Sequence, residues 1–244
     1  MDINKKERII LIIPVFEEEG KIGKVVSQAL RGASLCIDEF LTVDDGSRDN
    51  TVGEAGACGA TVIRHERNQG VGSAIRTGID YALKNNYDIA VVISGDNQDD
   101  PRQIERLIAP LLKDGFDFVQ GSRYLAGGKT INQPFFRWFT TRLYSLFFRA
   151  ITGFPISDGT NGFRAFKLSI FKNKEINIWQ SWLDRYELEP YLFYQVIACH
   201  FRVTEAPVTK SYPDNNLGYT KMTPLISWWS ILRPLISLKL NLRK

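Results

Sequence analysis

Residues Val91–Pro101 read VVISGDNQDDP, where an apolar run, Ile89 to Ile93, breaks into carboxylates and amides closed by a proline. Buried parallel strands read as continuous Val/Ile runs, because both of their faces are covered. Ligands of open α/β sheets bind just beyond the carboxyl ends of such strands. The stretch therefore predicts a sheet mouth at which Asp96, Gln98, Asp99 and Asp100 gather. An all-oxygen set of this kind suits a hard cation such as Mg²⁺ or Mn²⁺. Locally, an acidic cap before the helix begun by Pro101 reads the same way, so the rest of the chain has to decide.

Working outward, strand and helix signals alternate. Arg8–Val15, Phe40–Val43, Ala60–Arg64 and Phe116–Gln120 read as further strands. Gly20–Arg31, the stretch opened by NQGVGSAIRTGIDYALKN, and Pro101–Lys113 read as helices. Strands separated by helices of this length imply βαβ units, a mostly parallel sheet and right-handed crossovers. Acids recur at the strand ends: Glu17, Glu18 and Glu19 after the first, Asp44 and Asp45 after the second, Asp96 after the fourth. Solvated charges scatter, whereas these converge on one crevice, which favours a ligand site over a simple cap. Gly70 and Gly72 invite a dinucleotide-fold reading, but they follow the third strand and Ile75 stands where a third glycine belongs. They predict a turn needing close backbone approach, with His65 and Asn68 in structural roles.

The 244 residues show no repeat or low-complexity linker, so one α/β domain is the simpler count. A net charge of +4 is too mild to argue for nucleic acid. Three cysteines, Cys36, Cys58 and Cys199, lack metal spacing and leave one unpaired in any disulfide scheme, which predicts buried thiols in a reducing cytosol. Lys5, Lys6 and Arg8 before IILIIPVF mimic a signal peptide, yet EEE follows at once, and the run reads as a first buried strand. No apolar stretch reaches the roughly 18–20 residues that span a bilayer.

IIPVFEEEGKI, VDDGSRDNT, HERNQGVGSAIRTG and SGDNQDDP, in this order, resemble the family 2 glycosyltransferases of GT-A fold. VQGSRYLAGG, SDGTNGFRAF, EAPVT and LGYTKM resemble the dolichol-phosphate mannose synthase branch, which transfers a sugar from a nucleotide donor to a polyprenyl phosphate. The resemblance implies a GT-A catalytic domain over 1–222, with a nucleotide-sugar half to about 125 and an acceptor half after it, and an amphipathic tail over 223–244. It implies that Pro14, Phe16 and Glu18 border the nucleoside, that Asp44 contacts base or ribose, and that Asp45 supports that loop. Asp96 and Gln98 would hold Mg²⁺ or Mn²⁺ against the donor diphosphate. Arg123 and Arg137, on the donor-binding side, would meet phosphate oxygens, for which a guanidinium is suited. Asp158, Asn161, Arg164 and Lys221 would line the acceptor side, with Asp96, Arg123 and Asp158 as the catalytic set. Two departures stand out: Ser94 replaces the aspartate that usually begins the metal motif, and Asn215 and Asn216 stand where an arginine is usual before Lys221.

The implied reaction is metal-dependent, inverting transfer of a mannose- or glucose-type sugar from a GDP- or UDP-sugar to dolichyl or undecaprenyl phosphate. Its place would be the cytoplasmic membrane face, with a separate membrane protein or a second copy as partner. A phosphate acceptor is already nucleophilic at neutral pH. A saccharide hydroxyl, the alternative acceptor, needs a positioned carboxylate such as Asp158, Glu187 or Glu189; the latter two otherwise read as an exposed edge. A nucleotide-sugar-binding subunit without catalysis is the reading that Ser94 keeps alive. Phe135–Thr152 and Met222–Lys244 contain no acid and mix aromatics with Arg137, Arg142, Arg149, Arg233 and Lys239. That composition predicts helices lying in a bilayer interface, the second kinked or divided at Pro234.

Overall fold

The computed structural model describes residues 6–33, 36–212, 224–240 and 242. Four parallel strands form its first half: β1 (Ile9–Val15), β2 (Glu39–Asp44), β3 (Thr61–Arg64) and β4 (Ile89–Val92). Helices α1 (Ile22–Ala33), α2 (Thr51–Ala57) and α3 (Val71–Lys84) connect them. After β4 come α4 (Ile104–Lys113), β5 (Phe118–Ser122), β6 (Lys129–Ile131) and α5 (Phe135–Thr152). Next are β7 (Arg164–Lys167), α6 (Leu188–Ala198), β8 (Val203–Pro207), β9 (Thr209–Ser211) and α7 (Pro224–Lys239).

The main sheet runs β3-β2-β1-β4-β7-β5-β8, with β6 and β9 pairing as a separate parallel ribbon. Each β1 side chain alternates between two cores, as the two-residue strand period requires. Ile10 and Ile12 face the layer containing Ile75 and Ile79 of α3, while Ile9, Leu11 and Ile13 face Val25 and Val26 of α1 and Leu107 of α4. With helices on both faces, β1 and β4 are apolar throughout, which is why they were legible as strands.

Three details add to or differ from the sequence expectation. β5 does not lie beside β4: the later β7 inserts between them, antiparallel to both. Its RAFK sequence is too short and mixed to announce a central strand. Pro101 opens a 3₁₀ turn, Pro101–Gln103, and the α-helix proper starts at Ile104. The tail helix α7 runs unbroken through Pro234 rather than dividing there. Buried Leu235 and Leu238 pack it into the α3-side core, so tertiary contact offsets the lost backbone bond.

Candidate active site

The loops after β1 and β2 are sewn together. The Glu17 N–H donates to Ser47 Oγ (2.8 Å), and the Ser47 hydroxyl and N–H donate to the Asp44 carboxylate. Arg64 Nε lies 3.3 Å from the same fully buried carboxylate. Asp44, expected at base or ribose, thus has its oxygens engaged in shaping the loop. Glu18 N–H donates to Thr51 Oγ1 (2.8 Å), and the Glu18 carboxylate, nearly buried, pairs with Lys21 at 2.8 Å. Pro14, beside Val43 in register, is half-buried, as is Phe16 at the end of β1. Asp45 accepts from His65 Nδ1 (2.8 Å) and from the N–H groups of Gln69 (2.9 Å) and Gly70 (2.7 Å).

That last turn explains the N-x-G-x-G string. Gly70 has φ of +107°, and a Cβ there would lie 2.4 Å from Asp184 O. A Cβ on Gly72 would lie 2.1 Å from Leu183 O and 2.5 Å from Arg185 O. Ser73 N–H donates to Asp184 O (2.8 Å), and Arg76 pairs with the Asp184 side chain. The glycines admit the backbone of 183–185.

At the end of β4, Asp96 is half-buried and its Oδ1 accepts the Gln98 N–H (3.0 Å). Asn97 between them takes a left-handed φ of +59°. Gln98 is buried, and its carbonyl accepts the Ser211 N–H (2.8 Å). Asp99 does not cap the following turn; Asp100 does, accepting the Arg102 N–H at 3.1 Å. Asp99 instead pairs with Lys210 Nζ at 2.7 Å, and its Oδ1 is buried with no partner among the described residues. Burial pushes the Asp99 carboxyl up, with Asp96 adding to the rise and Lys210 opposing it. Among the described residues no three His, Cys, Asp or Glu side chains gather as a metal cluster. The donors present are nevertheless oxygens only, and an orphaned buried carboxylate oxygen beside Asp96 fits a hard cation rather than a soft one.

The acceptor half is organised by ion pairs. Arg123, at the end of β5, holds Asp158 through Nε (2.6 Å) and Nη2 (2.7 Å), and its N–H donates to the same carboxylate (3.1 Å). Both residues are buried. Burial alone would push Asp158 up; the Arg123 guanidinium and N–H donors outweigh it and hold the carboxyl below its ordinary value. Asp158 therefore cannot act as a base without breaking this pair. Arg123 also donates to Thr160 Oγ1 (2.6 Å) and, through Nη1, to the Tyr212 hydroxyl. Asn161 and Arg164 are buried beneath the loop: Arg164 Nη2 donates to Asn161 O (2.7 Å) and pairs with Glu189 at 2.9 Å. Glu187, read from sequence as part of an exposed edge, is buried and lies 3.4 Å from Arg233 of α7. Arg137 lies over the Tyr212 ring, 5.2 Å from its centroid. Lys221, Asn215 and Asn216 lie outside the described residues.

Residues 10–173 match the description "Glycosyl transferase family 2", more than half of the chain. The chain belongs to glycosyl transferase family 2. A polyprenol monophosphomannose synthase from Mycolicibacterium smegmatis is 26% identical, over 91% of this chain and 83% of that one. A UDP-N-acetylglucosamine–dolichyl-phosphate N-acetylglucosaminyltransferase from Methanococcus voltae is 32% identical, over 67% of this chain and 71% of that one. The glucosyl-3-phosphoglycerate synthase of Mycobacterium tuberculosis, solved with Mn²⁺, UDP and phosphoglyceric acid, has a TM-score of 0.71 at 20% identity, covering 96% of this chain and 78% of that one. Another structure of that enzyme holds Mg²⁺ and UDP. The chain is thus a family 2 glycosyltransferase of GT-A fold, similar to the dolichol-phosphate mannose synthases.

Several side chains that shape this glycosyltransferase site carry no readable motif. Lys210 sits on a three-residue ribbon strand and Tyr212 directly after it, and the sequence, TKS followed by Tyr, signals nothing by period. Glu205 lay inside the quoted EAPVT string without a role. Its carboxylate accepts the N–H groups of Ser157 (2.8 Å) and Asp158 (3.0 Å), and burial pushes its pKa up. It thereby presents the Asp158 loop to Arg123. A glutamate before Ala-Pro at a strand was the available signal.

Proposed function

We propose that this glycosyltransferase moves a mannose- or glucose-type sugar, with inversion, from a GDP- or UDP-sugar to a polyprenyl phosphate at the cytoplasmic face of a membrane. The observation that carries this reading is helix α5. Its buried side is Thr141, Tyr144, Ser145 and Phe148, spaced as one helical face. Phe135, Phe136, Phe139, Leu143 and Leu146 stand outside it, Phe135 being 77% and Leu146 62% exposed. Exposed Arg142 and Arg149 flank them, and the helix contains no acid. An apolar, aromatic face edged by cations suits an anionic lipid surface. No helix among the described residues is long and apolar enough to cross a bilayer. The helix begins beside Arg137 and Tyr212, so a lipid entering along α5 would bring its phosphate toward the arginines.

The chemistry fits such an acceptor. Asp96 and Gln98 would hold Mg²⁺ or Mn²⁺, with Asp99 adjacent. When bound, that ion supplies positive charge opposite the leaving nucleoside diphosphate. A phosphate monoester, with a second pKa of about 6, presents an ionised oxygen at neutral pH and requires no strong base. Accordingly Asp158, Glu187 and Glu189, the candidate bases for a hydroxyl acceptor, are each held in an ion pair. The two named relatives act on a polyprenol and a dolichyl phosphate with different sugars. Their shared acceptor class supports the lipid reading while leaving the sugar to experiment. Cys36, Cys58 and Cys199, expected from the sequence to be buried, are instead half-buried.

A titration with UDP and GDP, with and without Mn²⁺, followed by turnover on farnesyl phosphate, farnesol, 3-phosphoglycerate and an oligosaccharide, tests the proposal. Transfer to farnesyl phosphate but not farnesol supports it. Donor binding without turnover on any acceptor would favour a non-catalytic subunit, and transfer to the oligosaccharide alone would favour the hydroxyl reading.

A further inference from the structure

Tyr212 follows β9, and its main chain is fixed between two parts of the site. Its N–H donates to Ile131 O on β6 (2.9 Å), while the preceding Ser211 N–H donates to Gln98 O in the loop proposed to hold the cation (2.8 Å). Lys210, one residue earlier still, pairs with Asp99 of that loop. The Tyr212 side chain is 5% exposed and meets arginines from two different elements. Its hydroxyl accepts from Nη1 of Arg123, at the end of β5. Its ring lies under the guanidinium of Arg137, in the first turn of α5. A tyrosine can serve both at once, because the hydroxyl oxygen accepts in the ring plane while the negative face of the ring attracts a second cation.

The partners of Arg123 matter here. A guanidinium carries five N–H donors. Two of those on Arg123 go to Asp158, one to Thr160 and one to Tyr212. The edge facing Asp158 is therefore closed to a ligand. The Nη1 edge is shared with Tyr212, whose ring Arg137 overlies. Two guanidinium groups near each other repel, and unsupported they would splay apart. An aromatic ring against one and a hydroxyl on the other hold them together before any anion arrives.

We infer that Tyr212 is a positioning residue that presets Arg123 and Arg137 as one binding pair for the acceptor phosphate. The inference rests on the acceptor reading above and names the residue that prepares it. Preorganisation of this kind shows as affinity, because the cost of ordering the two long side chains is met in the free protein. The anion assigned to the pair is the acceptor's rather than the donor's because Arg137 belongs to α5, the helix that bears the exposed apolar face.

Two variants separate the contributions. Tyr212→Phe keeps the ring under Arg137 and removes the acceptor for Arg123; Tyr212→Leu removes both. Calorimetric titration of the whole chain would use three probes: inorganic phosphate, farnesyl phosphate, and UDP with Mn²⁺. Losing a hydrogen bond to a charged group weakens binding by about tenfold. Tyr212→Phe should therefore weaken both phosphate probes by about that factor, and Tyr212→Leu by more. UDP affinity should stay within about twofold of wild type, and the acceptor KM should rise while the donor KM holds. Unchanged phosphate affinity in Tyr212→Phe would overturn the inference, as would equal losses for phosphate and UDP, the mark of a merely structural role. If Tyr212→Leu does not fold, the Phe variant decides alone. A wild-type chain that binds neither phosphate probe also overturns it. Tyr212-dependent phosphate binding without sugar transfer to farnesyl phosphate would leave the preset pair standing and remove the lipid-acceptor reading.

Discussion

Replacing Asp158 by alanine should be among the most damaging single changes in the acceptor half. The carboxylate is fully buried and takes Arg123 Nε at 2.6 Å, Nη2 at 2.7 Å and the Arg123 N–H at 3.1 Å. Its removal strands a guanidinium that is itself 5% exposed. Breaking a buried pair from one side costs about 3–5 kcal/mol, because the remaining charge is uncompensated. In a chain of this length each kcal/mol lowers the melting temperature by about 2–4 °C, so a fall of about 6–20 °C is expected. The double replacement Arg123→Met with Asp158→Leu should recover most of that loss, since it leaves no buried charge, but it should be inactive toward a phosphate acceptor. Circular dichroism melts of the three proteins measure this directly. The pair also sets an acid limit. A carboxyl held low contributes stability that is complete above its unfolded value of about 3.9 and is lost as pH falls through the lower folded value. Stability owed to Asp158 should thus be flat from about pH 5 to 8 and decline progressively as pH falls below about 4 in wild type, with no such decline in the double variant. A melting point within 2 °C of wild type for Asp158→Ala would refute the reasoning, because about 1 kcal/mol or less is the worth of an exposed pair.

Two further outcomes are expected. Phe139→Glu combined with Leu146→Glu, on the exposed face of α5, should leave the melting temperature near wild type and abolish sedimentation with anionic vesicles; retained binding would show that another surface meets the lipid. Gly72→Ala should destabilise the chain by several kcal/mol, since its Cβ would fall 2.1 Å from Leu183 O and 2.5 Å from Arg185 O. Backbone cannot yield there as a flexible side chain would, and a fully stable Gly72→Ala protein would contradict the packing described.

The half of the fold that was legible in the sequence is the half in which one local rule governs each element. β1 and β4 are apolar because helices cover both faces, and the acids after them mark the sheet mouth. Helix α5 was legible over its full length, Phe135–Thr152, because aromatics with no acid are a compositional signal. What escaped were contacts between distant segments. β7 gives no strand period in four residues, so its insertion between β4 and β5 is settled only by tertiary pairing. Asp99 resembles a cap in sequence; Lys210, which redirects it, lies 111 positions away. Asp158 resembles a free carboxylate until Arg123, 35 positions earlier, is folded against it. Motif strings proposed the site residues, but they did not reveal which of their charges are already engaged.

Sugar transfer to a lipid phosphate can be read out at the lipid itself. The most direct measurement incubates it with anionic vesicles carrying undecaprenyl or dolichyl phosphate, Mn²⁺ and radiolabelled GDP-mannose, UDP-glucose or UDP-N-acetylglucosamine in turn, and then counts label extracted into organic solvent. Organic-phase label is expected with at least one donor, released by mild acid as the free sugar and absent when the lipid carries a hydroxyl in place of the phosphate. Label that stays in water with every donor, or that passes to a hydroxyl acceptor instead, would contradict it.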